Sequence, residues 1–241
     1  MEALAAFAAA LVSLRLAGRL AGRSRERRAP EFAAWAASLL AFALASAALA
    51  WGAAADWSGP AFRLYYLFGG LLTAPLLGAG SVLLTGRRWA GPVVLVYTGL
   101  AVGVAMAVPL TEPVSGTTIP DASEHLAFVP ARLVAVLGNA LGTLAVVAVA
   151  LATLRRRPVG NALLLAGVAV AAAGSALLGL GEGQAAISLT VSALLLYAGF
   201  VAGPGFRLRA LRPPPHDQAD GKDGDERKHL DGEAAGAPVS H

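Results

Sequence analysis

Four polar side chains within or at the ends of long apolar segments are the best candidates for contact with a ligand: Arg63, Tyr66, Arg132 and Asn139. Arginine offers a fork of N–H donors that matches a carboxylate or phosphate group. Asn139 lies near the middle of its apolar segment, where an amide without a hydrogen-bond partner is costly, so it must have one. Together the four residues predict a pocket for a small anionic or amphipathic molecule.

Each candidate also has a structural interpretation. Asn139 can form an interhelical hydrogen bond beside a close crossing at Gly138 and Gly142. Arg63 and Arg132 can fix the loops by pairing with acids there, namely Asp56, Glu124 or Glu182.

Small and polar residues share helix faces with these candidates. At 100° per residue, a sector of about 80° contains Arg63, Tyr66, Gly70, Thr73, Leu77 and Ser81. Such a face either packs against neighbouring helices or forms the wall of a cavity. Pro75 lies off this face, removes one backbone hydrogen bond and is expected to kink the helix. The predicted helix-packing residues are Gly70, Thr73, Pro75, Gly138, Gly142, Ser188 and Ser192.

Other kinds of site lack the residues they need. The absence of cysteine excludes disulfides and thiolate metal sites. The two lysines lie near the C-terminus and no apolar segment contains a histidine, which argues against retinal and against haem held between helices. His125 stands near two acids in a loop, a pattern more typical of a solvated loop than of a metal site. We predict no catalytic residue, no metal site, no cofactor and no nucleic-acid partner.

The elements that position these residues are predicted to be membrane-spanning helices. Of the 241 residues, 56% are hydrophobic and only 14% are charged, whereas soluble domains have roughly 25% charged residues. Seven apolar segments lie near residues 3–17, 32–51, 62–84, 92–108, 131–154, 159–180 and 185–201. The first is short and could instead lie in the membrane interface. The sequence predicts an all-α fold, a polytopic transmembrane bundle of seven helices at residues 1–206.

The charges of the connecting loops alternate in sign along the chain. Arginines occupy the first, third and fifth connections and the start of the tail, and acids occupy the other three. The positive-inside rule then places the N-terminus outside and the C-terminus in the cytoplasm of a bacterial cell. Residues 207–241 contain almost no large apolar side chains and are predicted to form a disordered cytoplasmic tail.

Three stretches carry a resemblance to a known group of proteins. They are FRLYYLFGGLLTAPLLGAG in the third segment, the proline-bearing loop at 109–129, and RRRPVGNALL at the start of the sixth segment. They resemble uncharacterised seven-helix integral membrane proteins common in GC-rich actinobacteria. The resemblance covers most of the membrane region, excludes the tail and implies no particular activity.

Three functions follow as hypotheses. The first is a non-enzymatic sensor or transporter that binds a small molecule or lipid in an outward-opening pocket. The second is an accessory or structural subunit that binds another membrane protein through its small-residue helix seams. The third is an intramembrane enzyme acting on lipid, which a His125 folded over a pocket beside acids would favour.

Overall fold

The computed structural model describes residues 2–116, 118–176, 191–192, 194–196 and 198–199. This part of the chain is helical, contains no β-strand and belongs to one unit, Met1–Gly205. The all-α fold class is therefore confirmed for the described residues. The predicted tail, Ser188 and most of the predicted seventh helix lie outside them.

The helical elements follow one another with short connections, except for the longer segment 108–121 between α5 and α6. They are α1 (Glu2–Arg27), α2 (Pro30–Ala55), α3 (Gly59–Tyr65), the π-helical segment π1 (Tyr66–Leu72), α4 (Thr73–Leu84), α5 (Ala90–Ala107), α6 (Ala122–His125), the π-helical segment π2 (Phe128–Arg132), α7 (Leu133–Ala152) and α8 (Pro158–Ala176). Within the described residues, four stretches are long and apolar enough to cross a membrane: Pro30–Ala55, Gly59–Leu84, Ala90–Ala107 and Val129–Ala152. These four overlap the second to fifth predicted segments, and the protein is membrane-embedded.

The first helix is longer than its apolar segment. α1 continues about ten residues beyond position 17, through a stretch rich in arginine, because arginine and alanine both favour the helical backbone. Ser24 donates to the carbonyl of Ala29 in the turn that follows, and Pro30 then begins α2. α1 and α2 pack along each other, and the side chains that they bury include many alanines and the fully buried Ser13 and Ser38.

The long helix formed by α3, π1 and α4 occupies the centre of the fold. It packs against α2, α5 and α7, and α7 also packs against α8. Around Phe62 and Leu71, a buried cluster joins it to α2, α5 and α7. A second buried cluster, around Trp35, contains residues of α1, α2, α4, α7 and α8. The end of the bundle at which α3 begins and α5 ends is called the Trp57 end below.

Candidate functional site

The central helix changes its hydrogen-bond pattern just before Pro75. The amide of Thr73 donates to the carbonyl of Phe68, five residues earlier, which is the bond of a π-helix. Pro75 has no N–H group, so it cannot donate to Leu71 or Gly70, four and five residues before it. The interruption expected at Pro75 thus takes the form of a π-helical segment, and two of its carbonyls accept hydrogen bonds from side chains of other helices.

Two neighbouring helices supply these donors. Asn139 of α7 donates from Nδ2 to the carbonyl of Gly70 at 2.8 Å. Tyr97 of α5 donates its hydroxyl hydrogen to the carbonyl of Leu71 at 2.9 Å, with the carbonyl of Val134 a second acceptor at 3.3 Å. Leu71 is 0% exposed, so water cannot take the place of the tyrosine. The polar group in the middle of α7 therefore binds the backbone of the central helix.

A third helix contacts the junction between π1 and α4. Ser38 of α2 donates to the carbonyl of Thr73 at 2.7 Å, and the hydroxyl of Thr73 donates to the carbonyl of Phe68 at 2.7 Å. Side chains of three helices thus converge on the main chain of one short segment. In the absence of water, such bonds replace those that an interrupted helix loses. These carbonyls are engaged by donors and do not form a cation site.

A seam of small residues holds α4 against α7. A Cβ atom added at Gly78 would lie 2.5 Å from the carbonyl oxygen of Gly142. One added at Gly142 would collide with the backbone of Ala74 and Pro75, and one at Gly138 with the hydroxyl of Tyr97. This is the close approach of backbones that small residues permit in membranes. The seam lies inside the protein, between two of its own helices.

The remaining predicted packing serine also binds a neighbouring backbone. Ser192 is buried and donates to the carbonyl of Gly167 in α8 at 2.8 Å. A Cβ atom at Gly167 would in turn come within 2.9 Å of Leu196. The described part of the predicted seventh helix is therefore packed on α8.

Arg63 contacts the C-terminus of α5. Its guanidinium donates to the carbonyl of Ala105, one of the last four carbonyls of that helix, which have no partner within the helix. A cation is also favoured at this end by the helix dipole. Arg63 therefore acts as a capping group for α5 as well as a candidate ligand residue.

A small cavity lies beside this contact at the Trp57 end. Its volume is about 10 Å³, and it is lined by Phe62, Arg63, Tyr66, Val104, Ala105, Leu126 and Ala131. Tyr66 is only 8% exposed, and its hydroxyl has no hydrogen-bond partner among the described residues. Apart from Tyr66 and Arg63, the lining side chains are apolar, so these two residues determine the chemistry of the cavity.

The segment between α5 and α7 closes this end of the bundle. Its two ends are joined by a bond from the amide of Thr111 to the carbonyl of His125 at 3.0 Å and by an isolated antiparallel bridge between Leu110 and Leu126. The amide of Trp57 donates to Gly116 at 2.7 Å. His125 is partly buried and packs edge-on against Phe62, with ring centroids 5.6 Å apart. The predicted solvated loop is thus folded against the cavity wall.

His125 shows no metal-binding surroundings. No group of three histidine, aspartate or glutamate residues that could hold a metal ion occurs in the described part of the chain. The Nδ1 atom of His125 is buried and lacks a hydrogen-bond partner within the same part. The ring is placed by its contact with Phe62.

The four candidate ligand residues are divided between two places. Arg63 and Tyr66 line the cavity, and Arg132 follows Ala131, another lining residue. Asn139 is two turns farther along α7 and is occupied by the carbonyl of Gly70. Sequence reasoning gave no role to Tyr97, although a tyrosine hydroxyl in the middle of an apolar segment signals the same need for a partner as the amide of Asn139.

Comparison with protein-family models, with curated proteins and with solved structures gives no match for this chain.

Proposed function

We propose that the chain is a multi-pass protein of a bacterial cell membrane that binds a small molecule or a lipid group at the Trp57 end and acts as a sensor or transporter. In this proposal seven helices cross the membrane, with the N-terminus outside and the C-terminus in the cytoplasm. Four apolar helices and the alternating charges of the loops support the topology. The resemblance to seven-helix membrane proteins points the same way.

The observation that carries the binding proposal is the hydroxyl of Tyr66. A buried polar group without a partner costs about 1–3 kcal/mol, so the hydroxyl favours an occupant that can form a hydrogen bond with it. The cavity it lines also contains Arg63, which can bind an anionic group. Under the proposed topology this end faces outward.

The second candidate is an accessory subunit. The glycines of α7 that were expected to bind another protein are buried against α4. The observation that favours this candidate is α5, of which only 22% is buried. A Cβ atom added at Gly99 or Gly103 would meet nothing within 4 Å among the described residues. For the third candidate, an intramembrane enzyme, His125 lies against Phe62 of the cavity wall, but the acids that this hypothesis needs beside it are not found among the described residues.

The test is native mass spectrometry of the full chain in nanodiscs, comparing the wild type with Tyr66→Phe. This change removes the cavity hydroxyl and keeps the ring. Tyr65→Phe is the matched control, because Tyr65 belongs to the same helix but packs against Trp57, with ring centroids 5.5 Å apart. We expect a reproducible bound mass in the wild type and in the control, reduced at least tenfold in Tyr66→Phe, about 1.4 kcal/mol.

Two results would count against the proposal. A bound mass retained equally by all three proteins would place the ligand elsewhere. A stable complex with another protein, and no small bound mass, would favour the accessory subunit.

A further inference from the structure

We propose that the cavity at the Trp57 end binds one small inorganic anion of about the size of chloride. This proposal rests on the proposed function, since it names the ligand class of the same site. It follows from three properties of the cavity: its charge, its hydrogen-bond donors and its volume.

The charge comes from Arg63. Its guanidinium is partly buried in a stretch that spans the membrane, and it donates to the neutral carbonyl of Ala105. Among the side chains that the structure describes, Arg63 forms no ion pair. A partly buried charge is stabilised by an opposite charge close to it. An anion in the adjoining cavity would supply that charge.

The donors point to the same class of ligand. The hydroxyl of Tyr66 has one hydrogen to give, and it is unused within the described residues. Arg63 has five N–H groups, of which the bond to Ala105 uses one. Hydrogen bonds from such groups to an anion are stronger than those between neutral groups. A cation would meet Arg63 at close range and is disfavoured.

The volume selects among anions. A cavity of about 10 Å³ corresponds to roughly one water molecule. A phosphate or carboxylate group has several heavy atoms and does not fit without movement of the walls. A halide ion is somewhat larger than water, so the walls must move slightly to admit it, but it needs less room than any polyatomic anion. The apolar walls formed by Phe62, Val104 and Leu126 favour a weakly hydrated ion. Water is the other occupant of this size, but it does not offset the charge of Arg63.

The test measures thermal unfolding of the full chain in nanodiscs. Sodium gluconate is replaced stepwise by sodium chloride or sodium bromide at constant ionic strength. A ligand that binds only the folded state raises the unfolding temperature in a saturable way. We expect such a rise with either halide in the wild type and in Tyr65→Phe. The rise should be lost in Tyr66→Phe and in Arg63→Gln, which removes the charge and keeps a polar side chain.

A second measurement does not depend on any variant. Crystals grown in bromide should show an anomalous peak in the cavity beside Tyr66. Absence of the peak, together with no halide effect on unfolding, would overturn the anion proposal. If native mass spectrometry then still shows an organic mass that depends on Tyr66, the proposed function stands with a different ligand. If neither is found, both proposals fail.

Discussion

The contribution of the hydrogen bond between Tyr97 and Leu71 can be tested by combining a change at Tyr97 with a change at Pro75, the residue that lacks the backbone donor. Tyr97→Phe removes the hydroxyl and keeps the ring against Gly138. The carbonyl of Leu71 then loses the hydrogen bond from Tyr97. Interhelical hydrogen bonds in membranes contribute about 0.6 kcal/mol on average and at most about 1.7. An unpaired buried carbonyl costs about 1–3 kcal/mol. Because Leu71 is 0% exposed, we expect a loss of about 1–2 kcal/mol.

The second change restores the missing backbone donor. In Pro75→Ala, residue 75 regains an N–H group that can reach Leu71, four residues earlier, or Gly70, five residues earlier. If it bonds to Leu71, Tyr97→Phe should cost less in this background, with a coupling of about 1 kcal/mol. If it bonds to Gly70, the coupling should appear with Asn139→Ala instead. The cycle therefore also reports whether the segment is α-helical or π-helical once the proline is gone.

The assay is equilibrium unfolding in mixed micelles, followed by tryptophan fluorescence. Thr98→Val is the matched control, since the Thr98 hydroxyl donates at 2.7 Å to Val94 within its own helix. Its removal should change the free energy of unfolding by less than about 0.5 kcal/mol. Two results would refute the reasoning. One is a Tyr97→Phe variant as stable as the wild type. The other is that the losses of stability in the single variants add within about 0.5 kcal/mol when Pro75→Ala is combined with Tyr97→Phe and when it is combined with Asn139→Ala.

Two further predictions concern packing and topology. Gly142→Ala should destabilise the protein by about 1–3 kcal/mol, because the added methyl group collides with the backbone of α4. In the same assay Gly99→Ala should leave the free energy of unfolding unchanged or raise it, because the added methyl group meets nothing within 4 Å among the described residues. If both alanine variants lost the same stability, the close packing of α4 against α7 would be contradicted. The cysteine-free chain also suits single-cysteine labelling of intact cells. A membrane-impermeant maleimide should label Ser115→Cys and spare Thr85→Cys, and the reverse would invert the proposed topology.

The sequence predicted the helices of the described region well and their hydrogen bonds only in part. Long apolar segments locate helices because, in lipid, the backbone N–H and C=O groups must form hydrogen bonds with each other. The same rule required a partner for Asn139, and the partner is the carbonyl of Gly70. A single sequence does not identify this partner, because Gly70 lies 69 positions away from Asn139 in the chain. The identity of the partner depends on how three helices meet.

The π-helical segment and the cavity were harder to foresee. A face drawn at 100° per residue assumes regular α-helical turns, and π1 breaks that assumption between Tyr66 and Leu72. Arg63 and Tyr66 nevertheless reach one cavity, since both precede most of the interruption. The size of the cavity depends on Leu126 and on a loop that folds back, and composition alone described that loop only as polar.

The convergence of donors on π1 has an evolutionary consequence. The acceptors are the main-chain carbonyls of Gly70, Leu71 and Thr73, and because every amino acid possesses this group, substitutions at the three positions leave it in place. The donors are the side chains of Ser38, Tyr97 and Asn139, and a single codon change can remove any of them. Sequence drift should therefore be asymmetric in distant relatives. The side chains at the acceptor positions matter less for these bonds, whereas the three polar residues on the surrounding helices should persist wherever Pro75 does. Tyr66 is a separate case, because its side chain lines the cavity.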